Sequence, residues 1–403
     1  MKYVILLGDG MADEPLEELG GLTPLQHAKT PHMDAIARRG VIGLAETVPA
    51  GFHPGSDVAN LSVFGYDPAT CYSGRSPLEA ASMGVELGPD DVAFRLNLVT
   101  LTAQYGHVYM EDFSAGHITT AEARELIESL QAELGDERFS FHAGVSYRHL
   151  LVWHGGKDEL TFTPPHDLTH QSVSGHLPRG DGAEELIQLT TSAQMLLSAH
   201  PVNLKRQKGR QPIANSIWLW GHGRAPRMAT LQEKFNLSGA VISAVDLIKG
   251  IGIYAGLDVV EVPGATGYID TNYRGKAQAA LDALQSRDFV YLHVEAPDEA
   301  AHAGNLEEKL QAIEDFDAQV VGPVMEGLSA LGDFRVLVLP DHPTPVRRMT
   351  HTLGPVPFAL CGSGGEFVAV TPASGFDEVA AAASGLCFDA AWRLLPAMVA
   401  GKL

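Results

Sequence analysis

The sequence predicts an α/β protein in which a mostly parallel sheet, with helices on both faces, carries a smaller inserted α+β unit. Short apolar runs at 3–7, 289–294 and 335–339 alternate with helical patterns, which is typical of parallel strands buried on both faces. Between about residues 90 and 228 the strand patterns instead alternate apolar and polar residues, as strands with one solvated face do. We therefore predict a large domain of residues 1–85 and 230–403 and an inserted domain of residues 86–229.

Charge and composition limit the function. At 403 residues the chain exceeds one ordinary core, and its formal net charge of −21 repels nucleic acid and anionic membranes, so neither is a predicted partner. A site for an anionic phosphate ester then needs metal ions and a few Arg or Lys residues to reverse the field locally. The 3 cysteines make no disulfide framework, and the apolar runs are too short for a membrane span. These features predict a cytoplasmic protein, and they leave its oligomeric state open.

Polar residues follow the ends of predicted strands. The run at 3–7 is followed by Asp9 between two glycines, and the run at 335–339 by Asp341 and His342. Ligands of open α/β sheets bind beyond the carboxyl ends of the strands, and carboxylate and imidazole groups are ligands for divalent metals. Taken alone, the segment with Asp9 is equally consistent with an ordinary Asp-Gly turn. For Asp341 and His342 taken alone, a strand-end turn with a solvated Asp is the more ordinary interpretation, because two-residue motifs match often by chance.

A third strand pattern has a similar ending. The run at 289–294 is followed by Asp298 and His302, which are four residues apart and would share one face of a helix. A carboxylate and an imidazole on one face make a two-ligand clip for a metal, although a capping Asp with a solvated His is the alternative. His351 lies in a predicted loop before the strand pattern at 356–360.

Ser56 follows a Pro-Gly turn at the point where helical spacing begins. A hydroxyl at a helix N-terminus faces free backbone N–H groups that suit a phosphate, and a simple N-cap is the alternative role. The chain has no GxSxG motif and no His at triad spacing nearby, which argues against a Ser-His-Asp hydrolase. If Ser56 is a nucleophile, a metal must activate it.

Taken together, the strand-end residues support a metal site better than any one of them does alone. Parallel strands bring their carboxyl ends to one sheet edge, so these groups would meet there. They suffice for two ions about 3.5–4 Å apart, a spacing that clamps both oxygens of an in-line phosphoryl transfer. Oxygen and imidazole ligands suit Mn²⁺, Mg²⁺ or Zn²⁺. The candidate set is Asp9, Ser56, Asp298, His302, Asp341, His342 and His351.

The inserted region contains candidate cations for an anionic substrate. Arg95, Arg148 and Arg224 lie in it, together with the polar residues Asp112, His117, His166 and Asp167. For any single arginine, a surface ion pair is the more ordinary role.

Several of these segments, in order, resemble the alkaline phosphatase superfamily. They are Gly8-Asp9-Gly10, Gly55-Ser56-Asp57, Pro297-Asp298-Glu299-Ala300-Ala301-His302, Pro340-Asp341-His342 and Thr350-His351-Thr352. Over almost its full length the chain is similar, more narrowly, to the archaeal-type, cofactor-independent phosphoglycerate mutases. Further matching segments are Gly74-Arg75-Ser76-Pro77-Leu78-Glu79-Ala80, Ser114-Ala115-Gly116-His117, Gly144-Val145-Ser146-Tyr147-Arg148, Pro165-His166-Asp167 and Gly264-Ala265-Thr266-Gly267.

The resemblance implies interconversion of 3-phosphoglycerate and 2-phosphoglycerate through a phosphoserine at Ser56, in glycolysis and gluconeogenesis and without 2,3-bisphosphoglycerate. Asp9, Ser56, Asp341 and His342 would hold one divalent ion, and Asp298, His302 and His351 the other, with Mn²⁺ expected and Mg²⁺ or Zn²⁺ as alternatives. The implied substrate-binding residues are Arg75, Arg148, Arg224, Lys249, His117 and Asp112. The inserted domain would close as a cap that excludes water, so that the phosphoserine is not hydrolysed.

Two other functions share these residues. Another phosphotransferase or phosphatase of the superfamily, such as the proposed homoserine kinase type, would use the same ligands and nucleophile, because the inserted domain selects the substrate. A metal-binding regulatory protein without turnover is the second alternative. A missing ligand would favour the regulatory protein, and the candidate set lacks none.

Overall fold

The computed structural model describes residues 1–369 and 373–403. Its strands are β1 (Lys2–Gly8), β2 (Val41–Ala45), β3 (Val92–Gln104), β4 (His107–Asp112), β5 (Phe139–Val145), β6 (Arg148–Trp153), β7 (Leu160–Thr161), β8 (Arg179–Gly180), β9 (Ser216–Gly223), β10 (Gly239–Ile242), β11 (Asp258–Val259), β12 (Phe289–Val294), β13 (Phe334–Leu339), β14 (Val356–Gly362) and β15 (Cys387–Phe388).

The α-helices are α1 (Pro24–His27), α2 (Pro31–Arg39), α3 (Ser56–Val63), α4 (Pro68–Cys71), α5 (Ser76–Ser82), α6 (Thr120–Leu134), α7 (Ala183–Ala199), α8 (Pro201–Lys208), α9 (Leu231–Phe235), α10 (Asp246–Tyr254), α11 (Tyr273–Ser286), α12 (Ala296–His302), α13 (Leu306–Phe316), α14 (Gly322–Leu328), α15 (Glu378–Ala383) and α16 (Leu394–Ala400). Short 3-10 segments lie at Glu17–Leu19, Pro165–Leu168 and Ala391–Arg393, and a π-helical segment at Asp317–Val321. Within the described residues, no helix is long and apolar enough to cross a membrane.

The chain divides into two compact units. The larger comprises Met1–Tyr72 and Arg227–Leu403, and the smaller comprises Ser73–Pro226. The sequence placed the first boundary later, at residue 85. The residues in between include α5, which packs on β3 and β9 of the smaller unit, so contacts that are distant in sequence set this boundary.

The larger unit is built on a sheet with the strand order β11-β10-β12-β1-β13-β14-β2-β15. Strand β1 runs parallel to both of its neighbours, β12 and β13, whereas β14 runs antiparallel to β13 and β2. The prediction of a mostly parallel α/β sheet is therefore confirmed. The central strands end side by side, because Leu7 of β1 is in register with His293 of β12 and with Leu339 of β13.

Both faces of this sheet are buried under helices. Val4, Leu6 and Val336 face a core that includes Phe316 and residues of α2, α11, α13 and α14. On the opposite face, Tyr291 of β12 stacks on Phe64 next to α3, with ring centroids 3.8 Å apart. Each fully buried Val or Leu contributes about 1.5–3 kcal/mol relative to exposure, so burial of the central strands stabilises the sheet that carries the strand ends.

The smaller unit has an antiparallel sheet. Its strand order is β4-β3-β6-β5, and β9 pairs with β3. Apolar side chains of β3, β6 and β9 pack against α6 and α7 in one core that includes Phe94, Leu126, Leu151, Leu186 and Leu219. The alternation predicted one solvated face for these strands, but residues 92–100 of β3 are all buried. The face opposite to that core packs in further apolar clusters, which include Ala93 and Val99.

Candidate metal centre

The centre lies where the central strands of the larger unit end. Asp9 follows β1 directly, Glu295 follows β12, and Asp341 follows β13 after one proline. The loop after β1 passes so close to α12 that a Cβ on Gly10 would lie 2.8 Å from the Asp298 Cα atom, and Gly10 has φ +63°. Glycine is required there by both the close approach and the left-handed backbone.

The first group of side chains is Asp9, Asp341 and His342, all fully buried and close enough together to share one cation. The Nε2 atom of His342 lies 3.6 Å from Asp9 Oδ1 and 3.3 Å from Asp341 Oδ2. Ser56 adjoins this group, since its Oγ atom is 3.2 Å from His342 Nε2. The structure thus brings together the four residues predicted for one ion.

The second group surrounds Asp298. On α12, His302 Nε2 lies 3.2 Å from Asp298 Oδ2, so the four-residue spacing places both on one face. His351 Nε2 lies 3.5 Å from Asp298 Oδ1 and 2.9 Å from His302 Nε2. His342 also converges with Asp298 and His351, so this imidazole lies between the two groups.

The donor set fits divalent cations. Asp9 Oδ1 is buried, and no hydrogen-bond partner for it is found in the described part of the chain. A buried carboxylate oxygen without a partner is costly, and a metal ion removes that cost. Carboxylate and imidazole ligands without a thiolate suit Mn²⁺, Mg²⁺ or Zn²⁺.

The electrostatics show the same excess of negative charge. Burial, followed by repulsion from Asp341 and Glu295, raises the pKa of Asp9 well above its usual value. Burial and Asp298 raise the pKa of Glu295 to about 8. Burial also disfavours the charged form of Asp298, but hydrogen bonds from His302 and His351 outweigh it and hold its pKa well below the usual range. These carboxylates are placed to receive positive charge.

Sequence reasoning missed three residues of this centre. His293, inside β12, has its Nε2 atom 2.8 Å from Asp9 Oδ2, and burial lowers its pKa to about 3, so a neutral imidazole orients Asp9. Glu295 converges with Asp9 and His293. Asn60 donates its side-chain N–H groups to the Ser56 carbonyl at 2.8 Å and to Asp341 Oδ2 at 2.9 Å. The strand-end rule that selected Asp9 could have selected Glu295.

Two of the predicted substrate-binding residues belong to a cationic cluster in the smaller unit. Arg75 Nε and Arg95 Nη1 both donate to Glu79 Oε1 at 2.8 Å. Burial raises the pKa of Glu79, but Arg95, Arg75 and Arg148 together lower it below its usual value. Burial lowers the pKa of Arg95 to about 10, with Arg75 and Arg148 adding repulsion. Three guanidinium groups around one carboxylate leave a positive excess.

The other predicted substrate-binding residues have partners within their own units. Arg224 donates to Asp158 and to two backbone carbonyls, and Lys249 Nζ is 2.7 Å from Glu261 Oε1. Asp112 accepts hydrogen bonds from Ser114 and from the Gly116 N–H, and thereby holds the turn that carries His117. The ring of His117 packs edge-on against Tyr147, 5.9 Å between centroids.

Comparisons with known proteins extend these observations. The model of the family described as 2,3-bisphosphoglycerate-independent phosphoglycerate mutase matches residues 37–203. A probable 2,3-bisphosphoglycerate-independent phosphoglycerate mutase of Geobacter sulfurreducens is 62% identical over 99% of this chain and 100% of the relative. The 2,3-bisphosphoglycerate-independent phosphoglycerate mutase of Methanosarcina acetivorans is 59% identical over 89% of this chain and 90% of its own length. The structure of the PH0037 protein from Pyrococcus horikoshii has a TM-score of 0.84 at 30% identity and covers 99% of this chain and 97% of its own.

The fold and these whole-length matches define an α/β enzyme. The chain belongs to the 2,3-bisphosphoglycerate-independent phosphoglycerate mutase family, as its motifs predicted.

Proposed function

We propose that the chain interconverts 3-phosphoglycerate and 2-phosphoglycerate through a phosphoserine at Ser56 and two divalent ions. The observation that supports it is the position of Ser56. Its side chain does not cap α3, whose N-cap is Gly55, so the hydroxyl is not used by the helix. It lies instead beside His342 at the edge of the carboxylate and imidazole groups.

We assign Asp9, Ser56, Asp341 and His342 to one ion, and Asp298, His302 and His351 to the other. When bound, the ions supply positive charge that neutralises the phosphate and lowers the pKa of an oxygen nucleophile. Mn²⁺ is the expected ion, and its identity stays a prediction.

The chain's own residues orient the nucleophile. Asn60 ties the first turn of α3 to Asp341, and the Tyr291 hydroxyl donates to Asn60 Oδ1 at 2.5 Å. In the first step a bond forms between Ser56 Oγ and phosphorus while the bond from phosphorus to O3 of glycerate breaks. In the second, the O2 hydroxyl forms the new bond to phosphorus and the bond to Oγ breaks. Overall, the phosphoryl group moves from O3 to O2 and one proton moves from O2 to O3.

Arg75 and Arg148 are the residues we propose to bind an anionic group of the substrate, and Arg95 joins them through its shared partner Glu79. Arg224, Lys249, His117 and Asp112 stay predictions, as do closure of the inserted domain as a cap, the place in glycolysis and the cytoplasmic location.

A coupled assay that detects 2-phosphoglycerate, run without 2,3-bisphosphoglycerate, tests the proposal. We expect turnover by the unaltered enzyme and at least a ~10³-fold loss in Ser56→Ala, because the nucleophile is removed. Mass spectrometry after acid quenching during turnover should detect phosphate on the peptide that contains Ser56.

Ser62→Ala is a matched control on the same helix, because the Ser62 hydroxyl donates only to the Val58 carbonyl, at 3.3 Å. It should keep the activity. Retained turnover in Ser56→Ala would contradict the phosphoserine, and release of inorganic phosphate in place of 2-phosphoglycerate would favour the phosphatase alternative.

A further inference from the structure

The structure assigns a positioning role to Thr344: its hydroxyl links the two proposed metal groups and sets the tautomer of the imidazole between them. Thr344 Oγ1 donates to Asp298 Oδ1 at 2.6 Å and lies 3.1 Å from His342 Nδ1. The residue is fully buried, so its hydroxyl makes these contacts without competition from solvent. The inference rests on the two-ion site proposed above.

The direction of each hydrogen bond follows from the partners. An ionised carboxylate only accepts, so the Thr344 O–H must point to Asp298. The lone pairs of the hydroxyl oxygen then remain for His342, whose Nδ1 atom must carry the proton that it donates. A neutral imidazole carries one N–H, and the Nε2 atom of His342 is therefore an acceptor.

This tautomer makes His342 a ligand. Its Nε2 lone pair faces Ser56 Oγ, Asp341 Oδ2 and Asp9 Oδ1 at 3.2, 3.3 and 3.6 Å. A lone pair and two carboxylates repel one another until positive charge lies among them. With the proton on Nε2 instead, the imidazole could not bind a metal through that atom.

The backbone of Thr344 is itself fixed. Its N–H donates to the Ala12 carbonyl at 3.1 Å, and its carbonyl accepts from Lys309 Nζ at 2.8 Å. Lys309 and Asp13 form a fully buried ion pair at 2.7 Å that ties this loop to the loop after β1. The hydroxyl therefore has little freedom to turn away from Asp298 and His342.

Thr344→Val removes the hydroxyl and keeps the shape of the side chain, so it isolates the contribution of the hydroxyl to metal affinity. We expect Thr344→Val to weaken Mn²⁺ binding at both sites by about 10- to 100-fold, the range found when a group that orients metal ligands is removed. Thr344→Ser keeps the hydroxyl and should restore most of the affinity. Isothermal titration of the metal-stripped full-length protein with Mn²⁺ measures this directly, independently of turnover.

Thr47→Val is the matched control. Thr47 is also fully buried, and within the described residues its hydroxyl has no hydrogen-bond partner. This variant should bind Mn²⁺ like the unaltered protein. The same affinity in Thr344→Val, or a loss confined to one of two sites, would overturn the inference. Failure of the unaltered protein to bind two Mn²⁺ ions would instead contradict the two-ion proposal on which it rests.

A second measurement determines the tautomer of His342 directly and needs no substitution at position 344. In metal-free protein labelled with ¹⁵N-histidine, long-range NMR correlations report which ring nitrogen carries the proton, and a His342→Gln sample assigns the signal. We expect the proton on Nδ1 of His342. A proton on Nε2 would overturn the inference.

Discussion

The two units contain charge clusters of opposite sign: the cluster of the larger unit is acidic, and that of the smaller unit is basic. In the larger unit, Asp9, Asp298, Asp341 and Glu295 meet around imidazoles of which His342 and His293 have lowered pKa values. In the smaller unit, Arg75 and Arg95 donate to the single carboxylate of Glu79, and Arg148 also helps to lower its pKa. The first cluster is buried and has an excess of negative charge that cations would neutralise, whereas the positive excess of the second cluster would favour an anion.

The opposite charges of the two clusters also explain how a chain of net charge −21 could bind an anionic substrate. Two divalent ions would reverse the sign of the acidic cluster, and the arginine cluster is positive without them. Local charge at short range outweighs the average field. Metal removal should therefore affect the first cluster and leave the second intact.

The largest expected effect is that of chelation. Dialysis against EDTA should abolish mutase activity, and Mn²⁺ should restore it, because the ions would neutralise the phosphate and lower the pKa of the oxygen nucleophile. Mn²⁺ should also raise the unfolding free energy by about 2.7 kcal/mol for each site it occupies at a concentration 100-fold above Kd, measured by thermal unfolding. NaCl at the same ionic strength is the control, and it should not replace Mn²⁺, because salt screens buried charges only weakly. Activity indifferent to chelation would contradict the cation requirement.

A smaller effect is expected from the arginine cluster. Arg148→Met should raise KM for 3-phosphoglycerate roughly 10- to 100-fold, the value of about one hydrogen bond to a charged group, with less change in kcat. Arg138→Met is the matched control, because both arginines lie over a neighbouring ring, Tyr147 at 5.7 Å and Phe139 at 5.3 Å. Equal KM values in the two variants would remove Arg148 from the substrate site.

The smallest effect, counted for each pH unit, concerns the acid stability of the smaller unit. Burial lowers the pKa of His149 to about 3, so between about pH 6.5 and 3 the unfolded chain binds a proton there that the native state does not. The free energy of unfolding should therefore fall by up to about 1.4 kcal/mol for each pH unit below pH 6.5. The pH dependence of the urea midpoint measures it. The urea midpoint should depend less steeply on pH in His149→Gln than in His107→Gln, which is the control because His107 is exposed. Equal slopes in the two variants would refute the role of His149.

The sequence by itself determined the strand-end residues and the family. Asp9, Asp341 and the pair Asp298 and His302 could be found because buried parallel strands are continuous apolar runs, and the residues directly after such a run lie at the ligand edge of the sheet. Ser56 could be placed at a helix start by the Pro-Gly turn before it.

Only the tertiary structure decided which neighbours complete these groups. The position of His342 between two groups depends on the register of β13 against β1 and on the path of the loop that carries His351. Thr344, His293 and Asn60 act through contacts 46, 284 and 281 residues away in sequence, and no local periodicity encodes a partner so distant. Local patterns report which face or end of an element a residue occupies, whereas hydrogen-bond partners depend on how separate elements pack.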